Sequence, residues 1–215
     1  LKMQQSNYKE AISSEIFSTI SQASADLKME SYVIGGFVRD YFLERGDAKD
    51  IDIVAVGNGI SLAKEVSKLL PHQPKVQVFK TYGTAMLRAF DVEVEFVGAR
   101  KESYNENSRN PEVEQGTLED DQNRRDFTIN ALALQLNKEN FGQLLDPFNG
   151  LEHLKQQLIK TPLEPGITYS DDPLRMMRAI RFATQLGFKI EESSLDAITE
   201  NHKRIKIISK ERIVE

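Results

Sequence analysis

The run from Ile51 to Val56 is the feature that most constrains the fold. It alternates in side-chain character, is rich in β-branched residues and ends at Gly57, which is typical of a strand followed by a turn. Because alternate side chains of a strand share one face, Asp50 and Asp52 point to one side while the isoleucines between them enter the core. The chain therefore builds a sheet that carries a pair of carboxylates.

Hydrophobic period and turn residues predict the other elements of an α+β fold. The predicted helices and strands are, in order, helix 9–29, strand 32–34, helix 38–43, helix 60–70, and strands 76–79, 84–90 and 92–97. The link around Asp91 is so short that the last two strands must pair antiparallel. Residues 101–123 lack any apolar period and are predicted to form a loop, either a functional flap or a disordered segment.

Beyond residue 123 the pattern shifts towards helices. Residues 127–134 have helix-like or buried apolar spacing, and residues 144–150 form a turn before a short helix at 151–157. After the segment that contains Pro162, Pro165 and Gly166, only helices are predicted, at 173–187, at 192–203 and from residue 209. The natural boundary lies near residue 165, with a mixed domain over 1–165 and a helical part over 166–215.

Composition excludes several classes of site. The 215 residues include no cysteine, and the three histidines lie far apart, which excludes disulfides, thiolate zinc sites and cysteine nucleophiles and disfavours histidine metal centres. A metal here is expected to be oxygen-bound, as Mg²⁺ or Mn²⁺ is. No apolar run approaches the roughly 18 residues of a membrane span, and the start at Leu1 lacks a signal-peptide pattern, so a cytoplasmic protein is expected.

The net charge of −5 argues against a protein that coats nucleic acid. The charge is uneven, because residues 171–215 carry an excess of one positive charge. Any contact with RNA is therefore expected to be local. The sequence does not indicate an oligomeric state.

Two further acidic and glycine-containing segments accompany the Asp50 and Asp52 pair. Two carboxylates on one rigid strand suit Mg²⁺, although an Asp-x-Asp pair is also common surface decoration. Gly35 and Gly36 follow a strand and open a helix, so their backbone can approach a phosphate that Arg39 also binds; the alternative is a plain turn with a surface arginine. Glu95 shares a strand face with other acids, which is also typical of a solvent-exposed face.

The helix at 173–187 carries a stripe of arginines. Asp172 and Pro173 are typical of an N-cap and a first helical position. Apolar side chains cluster on one predicted face (Met176, Ile180 and Ala183), and arginines are centred on the opposite one (Arg175, Arg178 and Arg181). Without interleaved glutamates this stripe is a candidate anion or base contact, and a solvated helix face is the alternative.

A pair of arginines and an aspartate follow the predicted loop, at Arg124, Arg125 and Asp126. A carboxylate at this position can accept a hydrogen bond from a ribose 2′-hydroxyl. The alternative is that Asp126 only caps a helix that begins at Phe127.

These segments together resemble a known family. The runs Gly35–Asp40, Asp50–Asp52, Arg124–Ala131, Asp146–Gly150 and Asp171–Ala179 are similar, in order and spacing, to those of the class II tRNA nucleotidyltransferases (CCA-adding enzymes) and the bacterial poly(A) polymerases. The resemblance implies a polymerase-β-like nucleotidyltransferase head with a mixed, largely antiparallel sheet, followed by a helical neck. It also implies that the body and tail helices of the family lie outside this chain.

The resemblance implies a role for each matching residue. Asp50 and Asp52 hold Mg²⁺, and Glu95 matches the third carboxylate. The implied nucleotide contacts are the triphosphate at Gly36 and Arg39, the ribose at Arg125 and Asp126, and the base and phosphates at Asp172, Arg175, Arg178 and Arg181. Gly35 and Asn130 are also implied to be nucleotide-binding residues. Asp171 stands where the family usually has glutamate.

The implied activity is Mg²⁺-dependent transfer of CMP and AMP from CTP and ATP to the 3′ end of tRNA, with release of pyrophosphate. An Asp172 and Arg175 pair suits cytosine and adenine, whose amino donor lies beside a ring-nitrogen acceptor, and leaves guanine and uracil mispaired. Poly(A) addition remains an alternative within the enzyme class. A noncatalytic nucleotide- or RNA-binding module is the alternative from another class.

Overall fold

The structure, a computed structural model, describes residues 7–46, 48–106 and 110–214. The strands are β1 Glu30–Ile34, β2 Asp50–Val56, β3 Gln77–Phe79, β4 Thr84–Ala89, β5 Val92–Gly98, β6 Arg100–Ser103, β7 Glu112–Gln115, β8 Ala133–Gln135, β9 Leu144–Leu145, β10 Leu158–Ile159 and β11 Lys189–Ile190. The helices are α1 Glu15–Asp26, α2 Gly36–Phe42, α3 Gly59–Leu69, α4 Leu118–Asn123, α5 Gly150–Lys155, α6 Pro165–Asp171, α7 Leu174–Leu186, α8 Glu192–Asn201 and α9 Lys210–Val214.

One mixed sheet organises the first part of the chain. Within the described residues its seven strands lie in the order β3, β4, β5, β2, β1, β8, β9. β2 and β5 are parallel, and the other neighbouring strands are antiparallel, including the predicted β4 and β5 pair. The predicted α+β fold with a largely antiparallel mixed sheet is confirmed.

The two faces of this sheet are covered differently. On one face α1 and α3 bury their apolar stripes against the strands, and each such side chain contributes roughly 1.5–3 kcal/mol by burial; the cluster includes Ile16, Ile20, Leu62, Val66, Ile53 and Phe96. On the other face Leu118 of α4 covers Tyr32 and Val54. Because Asp52 and Val54 share this face of β2, the α4 cover stops short of the carboxylate pair.

The prediction of a loop over 101–123 is wrong. β6 pairs with β7 antiparallel, and α4 follows with a capping box between Thr117 and Asp120. β7 is exposed at every position, so it has no alternation of apolar and polar residues. The suggested mobility of the loop remains a prediction, and residues 107–109 lie outside the described residues.

Several other boundaries differ from the predicted ones. The helix predicted over 9–29 is a 3-10 turn at Lys9–Ile12 followed by α1, because Ser14 is extended between them. Residues 127–134 are buried but form a 3-10 turn at Thr128–Asn130 and then β8. No α-helix begins at Phe127, so Asp126 is not a helix cap.

The part of the chain after residue 165 is not purely helical, and the faces of α7 differ from the predicted ones. β11 pairs in parallel with β10, and α6 forms before α7. On α7, Arg175 is buried with Met176, Ala179 and Phe182, whereas Ile180 is 51% exposed. The predicted capping contact is present, since Leu174 N donates to Asp172 Oδ1 at 3.1 Å, although the cap position is Pro173.

None of the helices in the described ranges is long and apolar enough to cross a membrane.

The docking of α4 gives the first testable prediction. Buried Gln122 donates from Nε2 to the carbonyl oxygens of Ala131 at 2.8 Å and Leu145 at 3.2 Å. Gln122→Met keeps the size of the side chain but leaves buried carbonyl groups unpaired, so the free energy of unfolding should fall by about 1–3 kcal/mol. Urea unfolding measures it, and Gln115→Met on exposed β7 is the control. Equal, small effects at both positions would contradict the docked α4.

Candidate functional site

A cavity of about 740 Å³ lies between the carboxylate end of β2 and the N-terminal half of α7. Every site residue predicted from the sequence lines it except Glu95. The lining residues are Gly35, Gly36, Arg39, Asp50, Asp52, Arg124, Arg125, Asp126, Asn130, Asp172, Leu174, Arg175, Arg178, Arg181 and Phe182. Residues as far apart in the sequence as Gly35 and Phe182 thus line the same cavity. Their spacing along the sequence does not show this proximity.

The sheet supplies the acidic wall of this cavity. Burial raises the pKa of Asp52, and the charges of Asp50 and Asp121 raise it further against the opposing effect of Arg125. Glu95 stands beside Asp52 in the parallel register of β2 and β5 but outside the cavity lining. Partial burial and the charge of Asp52 raise the pKa of Glu95. Carboxyl groups whose pKa is raised by burial and by a neighbouring carboxylate favour a bound cation.

The turn between β1 and α2 brings the backbone against these acids. Gly35 has a φ of +82°, and a Cβ there would lie 3.5 Å from Asp52 Oδ2 and 3.4 Å from Arg125 Nη1. Glycine therefore combines the left-handed backbone with this close approach. One helical turn later, Arg39 donates from Nη1 to Asn130 Oδ1 at 2.8 Å and from Nε to Asp40 Oδ1 at 2.8 Å.

Asp121 is a site-building residue that the sequence analysis missed. Its side chain is 0% exposed, and each carboxylate oxygen accepts from one arginine: Oδ1 from Arg124 Nη2 at 2.7 Å and Oδ2 from Arg125 Nη2 at 3.0 Å. Burial alone would raise the pKa of Asp121, but the two guanidinium groups and their hydrogen bonds lower it below its usual value. The spacings of three and four residues along α4 are the available sequence signal.

Asp126 joins α7 to the segment that precedes β8. Its Oδ1 accepts from Phe127 N at 2.7 Å and from Asn130 Nδ2 at 3.1 Å, while Oδ2 accepts from Arg178 Nε at 2.7 Å. Because Asn130 also accepts from Arg39, Asp126 and Asn130 form a bridge between the arginines of α2 and α7.

Arg175 is held by backbone carbonyl groups on both sides of the cavity. It is 9% exposed and donates from Nη1 to Thr168 O at 3.2 Å and from Nη2 to Arg124 O at 2.5 Å. Its guanidinium also lies 5.8 Å from the ring centroid of Tyr104. These contacts orient Arg175 without a direct hydrogen bond or ion pair from Asp171, whose pKa is raised by burial against the effect of Arg175.

A second buried acid, also missed, supports this wall from β6. Glu102 accepts from Tyr104 Oη at 2.6 Å and pairs with Arg100 Nη2 at 2.8 Å and Arg124 Nη1 at 3.5 Å. Arg100 and Tyr104 are each two residues away and only Arg124 is distant in the sequence, but alternating residues of this kind on an irregular polar segment do not mark a buried acid. Glu102 and Asp121 together compensate the cations that line the cavity.

The two walls of the cavity carry charged groups of opposite sign. Carboxylates of β2 form one wall, and the guanidinium groups of Arg39, Arg178 and Arg181 face it from α2 and α7. Across the described ranges, no three His, Cys, Asp or Glu side chains converge as a metal site. Two carboxylates can bind a metal ion, and several arginines can bind anionic oxygens. The cavity therefore suits a ligand whose anionic oxygens complete the coordination of that metal.

Comparison with known proteins finds matching family models and similar proteins. A family model described as the Poly A polymerase head domain covers residues 31–160, and one described as the probable RNA and SrmB-binding site of polymerase A covers residues 187–215. The chain is 42% identical over 166 residues to an A-adding tRNA nucleotidyltransferase of Aquifex aeolicus, covering 77% of the chain and 20% of that protein. It is 37% identical over 198 residues to a CCA-adding enzyme of Lactobacillus helveticus, covering 91% and 47%.

Solved structures show the same similarity. A tRNA nucleotidyltransferase complexed with a primer tRNA and an incoming ATP analog is similar with a TM-score of 0.79 and 35% identity, over 90% of this chain and 53% of that one. A tRNA-processing enzyme in its apo form I gives a TM-score of 0.83 at 33% identity, over 98% and 52%. The chain spans between a fifth and about half of the length of these proteins.

The buried Asp121 gives the second prediction. A folded-state pKa below the unfolded value contributes stability that is fully present above the ordinary value of 3.8 and is lost as the pH falls through the folded pKa. Asp121→Asn removes the carboxylate partner of Arg125 and leaves Arg124 with Glu102 alone, so it should lower the free energy of unfolding by about 3–5 kcal/mol near neutral pH. The difference from the wild type should shrink as the pH drops below 3.8.

Urea unfolding at a series of pH values measures this difference. Glu119→Gln removes the same charge from the exposed side of α4 and should have little effect at any pH. A constant difference for Asp121→Asn across the pH range would show that its charge does not stabilise the fold.

Proposed function

The chain belongs to the Poly A polymerase head domain family, and on that premise we propose that it is the nucleotide-binding part of a tRNA nucleotidyltransferase. The proposed reaction transfers CMP and AMP from CTP and ATP to the 3′ end of tRNA and releases pyrophosphate. The observation that carries the proposal is the single cavity with a carboxylate wall and an arginine wall. The similar A-adding and CCA-adding proteins support the same substrate class.

The carboxylates fit Mg²⁺. Mg²⁺ commonly binds one or two protein carboxylates and takes its remaining ligands from phosphate oxygens and water. Asp50 and Asp52 supply such a pair, and burial together with the charges of Asp50 and Asp121 raises the pKa of Asp52, a cost that a bound cation would offset. Bound there with Glu95 nearby, Mg²⁺ would activate the attacking 3′-hydroxyl and neutralise charge on the leaving pyrophosphate.

The remaining residues act by position and charge. Gly35 and Gly36 let the backbone approach the phosphates, and Arg39 is turned towards them by Asn130. Arg125, fixed by Asp121, and Asp126 face the ribose side of the cavity. Phosphoryl transfer needs little covalent help from the protein beyond such placement, which agrees with a site that contains no histidine or cysteine.

Selection between bases is assigned to Asp172 and Arg175. The acceptor of Asp172 and the donors of Arg175 suit the amino group and ring nitrogen of cytosine and adenine. We therefore propose that the nucleotide site accepts both CTP and ATP. Transfer of A alone, as the names of some similar proteins state, or repeated transfer of A, is a different outcome of the incorporation assay below.

The division of labour along the chain is part of the proposal. Residues 1–165 form the head and residues 166–215 the neck, and α7 of the neck supplies the arginine wall. RNA contact is assigned to the longer protein, with residues 187–215 as the part of this chain that the RNA-binding family model covers.

The reaction is tested by incorporation of each labelled NTP with the complete protein. The acceptors are tRNAs that end before, within and after CCA. Addition of C and then A, each with Mg²⁺-dependent release of pyrophosphate, is the expected result. Absence of transfer with intact ATP binding would favour a noncatalytic binding module.

The third prediction concerns the carboxylate pair. Asp50→Asn and Asp52→Asn should each lower single-turnover transfer by at least about a hundredfold, because they remove charge from the cation site. Thermal unfolding should change little, since neither side chain is in the core. Glu65→Gln on α3, across the sheet, is the matched control. Wild-type turnover in either aspartate variant would contradict the assignment.

The fourth prediction concerns Asp172. Asp172→Ala should cost correct nucleotides about 1–3 kcal/mol of transition-state stabilisation and wrong nucleotides less, because only cytosine and adenine use the acceptor. Steady-state kcat/KM for the four NTPs measures this. Asp172→Ser keeps a side-chain acceptor for Leu174 N and separates the capping contact from base selection. Equal slowing of all four NTPs by Ala, with full recovery in Ser, would assign Asp172 to capping only.

A further inference from the structure

One aromatic ring of the cavity wall collects three arginines. The guanidinium carbons of Arg39, Arg178 and Arg181 lie 5.1, 5.3 and 5.7 Å from the ring centroid of Phe182. Arg39 comes from α2, and the other two come from α7. Phe182 is 8% exposed and lines the cavity, and the ring of Phe127 packs against it at 5.9 Å in an edge arrangement.

Three cations gathered around one point repel each other, so something must offset that cost. Arg39 pairs with Asp40 at 2.8 Å and Arg178 with Asp126 at 2.7 Å. Arg181 forms no ion pair with any carboxylate in the described part of the chain, and its contact is the ring. The negative face of an aromatic ring attracts a guanidinium, more strongly where water is excluded.

Contact through the ring leaves the arginines able to bind a ligand. A guanidinium carries its N–H donors at the edge of its plane, so an approach of its central carbon to a ring uses none of them. Arg39 gives Nε and Nη1 to Asp40 and Asn130, and Arg178 gives Nε to Asp126. The ring holds the three guanidinium groups together without using any of their other donors, whereas a further carboxylate in its place would use those donors and cancel more of the charge.

We propose that Phe182 is the positioning residue that pre-assembles Arg39, Arg178 and Arg181 into the site for the triphosphate of the incoming nucleotide. This rests on the proposed function and names the group of the substrate that the arginine wall takes. Charge complementarity points to the triphosphate, because it has several anionic oxygens for the three guanidinium groups, whereas the base is neutral. Because folding already brings the three guanidinium groups together, binding of the nucleotide does not bear the free-energy cost of their mutual repulsion.

The test changes the charge of the ring face while keeping its shape. Mono-, tri- and pentafluorophenylalanine placed at position 182 weaken the attraction for cations in steps. Calorimetry with Mg²⁺ and either ATP or inorganic triphosphate should show a graded loss of affinity of about tenfold for the pentafluoro ring, equal to about 1.4 kcal/mol. AMP, which lacks the β- and γ-phosphates, should lose less than threefold.

Phe127 supplies the matched control. Its ring is fully buried and touches Phe182, and no cation lies over it within the described residues. The same fluorinated series at position 127 should leave affinity for ATP and triphosphate unchanged. In the proposed enzyme, KM for NTP should rise in the Phe182 series while kcat changes little.

The outcomes separate this inference from the proposed function. Unchanged affinity of the Phe182 series, in a wild-type chain that binds ATP, would overturn the role of the ring and leave the nucleotidyltransferase assignment standing. An equal loss in the Phe127 series would also overturn it, because it would show a packing effect. A wild-type chain that binds neither ATP nor triphosphate would overturn the proposed function itself.

Discussion

The buried carboxylate of Asp121 is the contact on which the cavity depends. It fixes Arg124 and Arg125 with one oxygen each, and the backbone carbonyl of Arg124 then receives Arg175 from α7. Removing one partner of a buried ion pair leaves an uncompensated charge, which is far more costly than an equivalent change at the surface. A helix of six residues thus sets the position of groups on both sides of the cavity.

Charge in this molecule is organised locally. The chain as a whole carries −5, yet Arg178 and Arg181 of α7 line the same cavity as the carboxylates of β2. A cavity of this kind discriminates by the arrangement of charge in its ligand, because opposite signs must meet both walls. Net charge therefore says little about what the site binds.

Elements that bury one face could be predicted from the sequence, because one-sided burial produces a regular spacing of apolar residues. β2, α3 and the carboxylate pair fall in this class, and so do the arginines of α7 as cavity residues. β6 and β7 could not be predicted in this way, since their short strands lack a continuous buried face. The buried face of α7 could not be predicted either. Arg175 and Arg178 look equivalent in the sequence, but Arg175 is buried with Ala179 and Phe182.

Contacts between predicted site residues that are far apart in the sequence were not predicted. Arg178 and Asp126 are 52 residues apart, and Arg39 and Asn130 are 91 apart. No period or spacing indicates such pairs, because the folded backbone alone brings them together. The resemblance to a family supplied the names of these residues but not their contacts with each other.

The parallel pairing of β10 with β11 has a consequence for how such proteins change over evolutionary time. Lys189 N donates to Gln157 O at 2.8 Å and Glu191 N to Ile159 O at 3.0 Å, which ties the segment after α7 to the end of the sheet domain. Backbone pairing thus joins the chain on either side of residue 165. Recombination near residue 165 would separate the acids from arginines that had adapted to them, so new substrate preferences are expected to arise by point substitution within the cavity.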